Sequence, residues 1–197
     1  MGRKMAVFIL LVTAVIVLGN SVSLAAQDKK AATGAAAAGE KSAMDMPAAK
    51  PDDVKSLDAI VAAVYDVISG PPGERDWNRF NSLFAKDARL IAVRTAKEGG
   101  KPSLAVMTPA GYAERAGGYF KQHGFFEHEL SRKTDSFGAM THIYTTYESR
   151  ETKDGKPIDR GINSMEFFFD GERWWCVEIY WDAERPGNPI PEKYLGK

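Results

Sequence analysis

An α+β domain, with helices gathered on one face of a curved antiparallel sheet, is the fold class that this sequence predicts. Three observations carry it. Apolar residues recur at helical spacing from Val54 to Ile68, helical patterns stop at Gly124, and β-rich runs separated by turn chemistry fill most of the chain beyond that glycine. The clearest turn signals are Asp154-Gly155 and Asp170-Gly171.

The chain begins with a leader. Arg3 and Lys4 precede an unbroken apolar run from Met5 to Leu18, and small residues from Ser21 to Ala26 come next. A basic start, a short apolar run and an A-x-A-like site predict a cleaved secretory signal over residues 1–25, because the run falls short of the ~20 residues of a bilayer-spanning helix. The expected compartment is the periplasm or the exterior, with no membrane attachment after cleavage; the alternative is an uncleaved N-terminal anchor.

The whole chain has 26 basic and 26 acidic side chains; without Arg3 and Lys4 the balance is 24 against 26, a formal charge of −2. No basic field exists for nucleic acid, which is excluded as a partner class. Cys176 is the single cysteine, so neither an internal disulfide nor a Cys-based metal site is available. Residues 26–53 are Ala-rich with no aromatic residue, too little apolar surface to offset ordering entropy, and read as a disordered tether. Residues 54–197 then form one domain.

The first helix takes Asp52 or Asp53 as its cap, presents Val54, Leu57, Ile60, Val61, Val64 and Ile68 on one face, and stops at Gly70-Pro71-Pro72-Gly73. The second spans Asp76 to Phe84, with Trp77, Phe80, Leu83 and Phe84 at helical spacing, and Ala88 to Arg94 comes after it as a strand. Lys97 to Pro102 reads as a turn into the short strand Leu104 to Met107. Thr108-Pro109 supplies an N-cap and an N1 proline for a third helix. Gly117-Gly118 inside that helix costs about 1 kcal/mol each relative to alanine and points to a close approach. Four strands complete the domain: Phe125 to Thr134, Ala139 to Glu151, Ile158 to Asp170 and Arg173 to Trp181.

This order of elements resembles the nuclear transport factor two-like superfamily, which includes SnoaL-like polyketide cyclases, ketosteroid isomerase and scytalone dehydratase. The segments most like it are D-W-N-R-F-N-S-L-F-A-K-D-A-R-L at Asp76 to Leu90 and D-G-E-R-W-W-C-V-E-I-Y-W-D at Asp170 to Asp182, which look like secreted bacterial members of unknown function. The resemblance implies a cone-shaped fold, three N-terminal helices packed on the sheet, a small-molecule pocket between them, and a homodimer formed through the outer sheet face. It does not imply a reaction, since the fold hosts isomerases, dehydratases, cyclases and binding modules.

If both Asp-Gly turns are two-residue loops, one face of the last three strands carries His142, Tyr144, Thr146, Glu148, Gly161, Asn163, Met165, Phe167, Trp174, Cys176, Glu178 and Tyr180. Convergent polar groups among aromatics are typical of ligand sites, so Tyr144, Thr146, Asn163, Met165, Trp174 and Tyr180 are the expected ligand-binding residues. Glu178 is the candidate general acid or base, its pKa raised by apolar neighbours, and His142 is a second candidate. A β-bulge near Val177 would move Ile179 and Trp181 to that face and dissolve the patch. Glu148 with Arg150, and Asp159 with Arg160, read as rim salt bridges. His123, His128 and His142 fit no metal-ligand spacing, so neither metal nor cofactor is expected. Beyond Asp182, a Pro- and Gly-rich tail with Ile190, Tyr194 and Leu195 is expected to pack across an apolar surface. Two function classes are open to such a chain: a secreted protein binding a small, largely apolar ligand, or a lyase or isomerase acting through a pocket carboxylate or histidine. A filled cone would point instead to protein association alone.

Overall fold

The computed structural model describes residues 46–95 and 100–196; the expected leader, most of the expected tether and part of the turn after the first strand lie outside them. A one-turn helix, α1 (Pro51–Val54), opens the domain, and α2 (Leu57–Ile68) comes directly after it. The cap of α2 is Ser56, whose Oγ accepts the Ala59 N–H at 3.1 Å, rather than Asp52 or Asp53. Asp53 instead holds Arg79 of α3 (Trp77–Ser82) through two N–H bonds at 2.7 and 3.0 Å. That planar pair, largely shielded from water, ties α3 to α1. The apolar stripe of α2 lands as its spacing requires: Ile60, Val61, Val64 and Ile68 are all buried.

Six strands form one sheet: β1 (Phe84–Arg94), β2 (Ser103–Met107), β3 (Phe126–Phe137), β4 (Met140–Arg150), β5 (Pro157–Phe169) and β6 (Trp174–Ala183), in the order β2-β1-β6-β5-β4-β3. The helix α4 (Pro109–Gln122) lies between β2 and β3 in sequence, capped by Thr108 as its sequence predicts. Among the described residues there are thus four α-helices rather than three, because the helix breaks at Lys55 and Ser56. The sheet is antiparallel except at one internal pair, where β1 runs parallel to β6. β1 also starts earlier than its composition suggests, since Phe84 pairs with Cys176 directly after α3. Helices α2 to α4 cover one face, around a core centred on Phe80, Leu83, Phe84, Ile143, Met165 and Phe167. Gly117 brings α4 against the Trp77 ring, 3.7 Å from where a Cβ would stand.

Both turns depart from two-residue loops. Arg150 pairs with Pro157, so residues 151–156 connect β4 to β5, and a bulge at Ser149/Arg150 shifts the ladder by one. Asn163 therefore faces Thr145 rather than Thr146, and Met165 faces Ile143. Between β5 and β6, the Asp170 carboxylate accepts the N–H groups of Glu172 and Arg173, both at 2.8 Å, and Gly171 takes φ +100°. This side-chain-capped turn spans residues 170–173. A second bulge leaves Val177 unpaired between Cys176 and Glu178. The bulge brings Ile179 and Trp181 to the helix-facing side.

The tail packs on its own chain. The Tyr194 carbonyl accepts hydroxyls from Ser131 and Thr146, and the Tyr194 ring meets Tyr144 at 5.0 Å on the outer sheet face.

Candidate functional site

A cavity of about 160 Å³ lies between the helices and the inner sheet face. Its apolar wall comes from Val64, Ile68, Phe80, Leu90, Met165 and Ile179, and its polar groups are Tyr112, Glu127, Tyr147, Asp159, Asn163 and the indole of Trp181. An engineered apolar cavity of ~150 Å³ takes up benzene, so this space suits a ligand of one six-membered ring.

The register decides which expected site residues reach this cavity. Of the ligand-binding candidates, Asn163 and Met165 line it. Trp174 sits on the inner face but packs against Phe169 at 5.3 Å, away from the cavity. The one-residue shift of β4 against β5 turns His142, Tyr144 and Thr146 to the outer face, where His142 Nε2 and Ser164 Oγ are 3.0 Å apart. The Val177 bulge sends Glu178 and Tyr180 outward as well. Glu178 there faces Glu166 across the ladder and pairs with Arg89 at 2.7 Å, so a place among Met165, Trp174 and Cys176 is corrected. Its carboxylate has a cation rather than an apolar wall beside it. Cys176 is fully buried, and burial pushes its thiol well above the usual range. Among the described residues, no cluster of three His, Cys, Asp or Glu side chains could hold a metal ion.

Two carboxyl groups stand where the sequence singled out none. Glu127, the second residue of β3, is pushed up to about 8, by burial first and then by the charge of Asp159. Among the described residues no side-chain hydrogen bond offsets that burial, which favours the protonated form although the residue is only partly buried. Asp159 reaches the cavity from its open mouth on β5. Burial pushes it up to about 6, against the Arg160 N–H and the Tyr147 hydroxyl, the latter a long 3.5 Å contact. Much of the Asp159 residue remains exposed, and water there limits the cost of its charge. Arg160 does not pair with it as expected but holds Glu184 at 2.6 Å, whereas Glu148 and Arg150 do pair, at 2.6 Å. Burial also keeps the Tyr112 and Tyr147 hydroxyls protonated far beyond neutral pH.

Gly161 explains why Asp159 and Tyr147 meet. Tyr147 crosses the ladder directly opposite Gly161, and a Cβ there would stand 2.5 Å from the Tyr147 hydroxyl and closer still to the Asp182 carbonyl. Only a residue without a side chain lets that hydroxyl lie across β5 toward Asp159. A glycine inside a strand, two positions from a carboxylate, was the one signal in the sequence that could have marked this site.

No protein-family model and no curated protein matches this chain. Solved structures do. A protein of unknown function with a cystatin-like fold from Nostoc punctiforme superposes with a TM-score of 0.50 at 8% identity, covering 65% of this chain and 88% of that one. The Kfla4162 protein from Kribbella flavida gives 0.50 at 9% identity, over 66% of this chain and 90% of its own. At such identity the likeness speaks for the fold alone, the cystatin-like fold, which among the described residues has four α-helices and a mostly antiparallel, curved six-stranded sheet.

Proposed function

We propose that the cavity binds a compact, largely apolar molecule bearing a carbonyl group, and that Asp159 and Glu127 transfer a proton on it as base and acid, in an isomerisation or an elimination. The observation that carries this reading is that two carboxyls, Glu127 and Asp159, line one cavity with a partly apolar wall; burial pushes them upward, to about 8 and about 6. Two titratable groups whose environments separate their pKa values divide the roles of base and acid between them. At neutral pH the Asp159 carboxylate can take a proton from the carbon next to the carbonyl. Protonated Glu127 can hydrogen-bond the carbonyl oxygen as charge develops there. Returning the proton to a different carbon gives an isomer, and loss of a leaving group gives an alkene. The leader at residues 1–25 supports a secreted or periplasmic setting for this chemistry.

The test uses cyclohexanone in D₂O, a ring small enough for the cavity. The protein should speed deuterium uptake next to the carbonyl over buffer alone, and Asp159→Asn or Glu127→Gln should slow it by a factor on the order of 10² or more. The rate should rise with pH through about 6, as Asp159 loses its proton, and fall through about 8, as Glu127 does. The pair owns both limbs jointly. Exchange at the rate of buffer, with cyclohexanone bound, would leave a binding protein without catalysis.

A further inference from the structure

Asn163 is 5% exposed and lines the cavity, and one side of its amide belongs to a chain of hydrogen bonds leading away from it. The chain can be assigned from its far end. The Glu129 carboxylate only accepts; it is held by the Arg132 guanidinium through bonds of 2.6 to 2.9 Å. Thr145 Oγ1 lies 2.6 Å from Glu129 Oε1, so the threonine hydroxyl donates there. With that proton committed, Thr145 can only accept from the Tyr65 hydroxyl, 3.4 Å away. The Tyr65 proton is then committed too, and the phenol oxygen accepts from Asn163 Nδ2 at 3.1 Å. With Glu129 a carboxylate, this order gives every hydroxyl proton in the chain an acceptor. Tyr65 and Thr145 are themselves buried, which shields these hydrogen bonds from bulk water.

The chain fixes which end of the amide faces the ligand. Nδ2 turns toward Tyr65, so Oδ1 turns away from it. Among the described residues Oδ1 has no donor, and no buried side-chain nitrogen or oxygen there is sealed off without a partner. Oδ1 therefore opens on the cavity that Asn163 lines.

We propose that Asn163 is a fixed, uncharged hydrogen-bond acceptor at one end of the cavity, oriented by the chain through Tyr65, Thr145 and Glu129, and that the natural ligand carries a hydroxyl or N–H group at that end. This rests on the reading of the cavity as a small-molecule site. With a carbonyl directed at Glu127, the ligand class becomes a single-ring compound bearing both a carbonyl and a hydroxyl or N–H donor. Asn163 is a positioning residue here, and Thr145 acts only through it.

Phenol, toluene and anisole separate the possibilities, with binding to the intact chain followed through the Trp181 indole resonance. Removing water from a hydroxyl without replacing its hydrogen bond is costly, so a cavity without an acceptor prefers toluene over phenol by about tenfold or more. The intact protein should bind phenol at least as tightly as toluene. In Asn163→Leu that phenol-to-toluene ratio should fall about tenfold, the worth of one hydrogen bond. Thr145→Val frees the Tyr65 proton to donate to Asn163 Oδ1, which turns the amide nitrogen to the cavity. Anisole, which only accepts, should then gain about tenfold over phenol, while Thr145→Ser keeps the original order. Toluene winning tenfold in the unmodified protein, or a ratio unmoved by Asn163→Leu, would overturn the role of Asn163 and leave the cavity reading standing. Failure of all three probes to bind would overturn both.

Discussion

Glu127→Gln protein loses about 4 kcal/mol less stability than the unmodified protein as pH rises from about 4.5 to 8. In the unfolded chain this carboxyl ionises near its ordinary value of 4.5, whereas in the folded cavity it holds its proton up to about 8. The folded state therefore binds more protons across that window, and stability must fall as pH rises. Glutamine has the same shape and nothing to ionise, so the Glu127 share of the slope disappears. Asp159 acts in the same direction below about 6, leaving a smaller slope in the variant there. Urea unfolding at a series of pH values reads the effect. A variant whose stability falls as steeply as that of the parent would mean that Glu127 is solvated and charged.

Phe80→Ala should cost 3–5 kcal/mol, a range of about that size being usual for a phenylalanine deleted from a packed core. Phe80 is 1% exposed and its ring meets Trp77 at 5.5 Å, Phe84 at 4.8 Å and Tyr112 at 5.5 Å. It joins α3 to β1 and α4, and it also forms part of the cavity wall. The variant should therefore pair its lower urea midpoint with a larger ligand space, binding naphthalene-sized rings that the parent refuses. A loss below about 1.5 kcal/mol with unchanged size selection would show that the site had collapsed onto the missing ring.

Periodicity was enough to place most helices and strands. The stripe on α2 and the Thr108-Pro109 start of α4 are local signals with local causes, and both stand where spacing puts them. The parallel neighbour of β1 is not local: Phe84 and Cys176 meet only after the whole meander has formed, and nothing in either segment distinguishes a parallel from an antiparallel partner. The site failed to appear for a narrower reason. Side chains alternate with a period of two, so one extra residue in a ladder reverses a face. The six-residue connection after Arg150 and the unpaired Val177 each add such a step, and together they sent Glu178, His142, Tyr144, Thr146 and Tyr180 outward while keeping Asn163 and Met165 inside. A bulge at Val177 was foreseeable as a hazard; its presence was not, because no residue there demands one. Glu127 was hidden differently. In Phe126-Glu127-His128-Glu129 it looks like one charge among several on an edge strand, and only the cover of α2 and α4 makes its environment apolar.

The central claim is that this cavity holds an uncharged carboxyl at neutral pH beside a charged one. The measurement that reaches it most directly is the ¹³C shift of the Glu127 side-chain carboxyl, recorded through a pH titration of the folded protein. A midpoint near 8, with a second inflection near 6 transmitted from Asp159, is the predicted result. A single midpoint near 4.5, the value of a solvated glutamate, would contradict it.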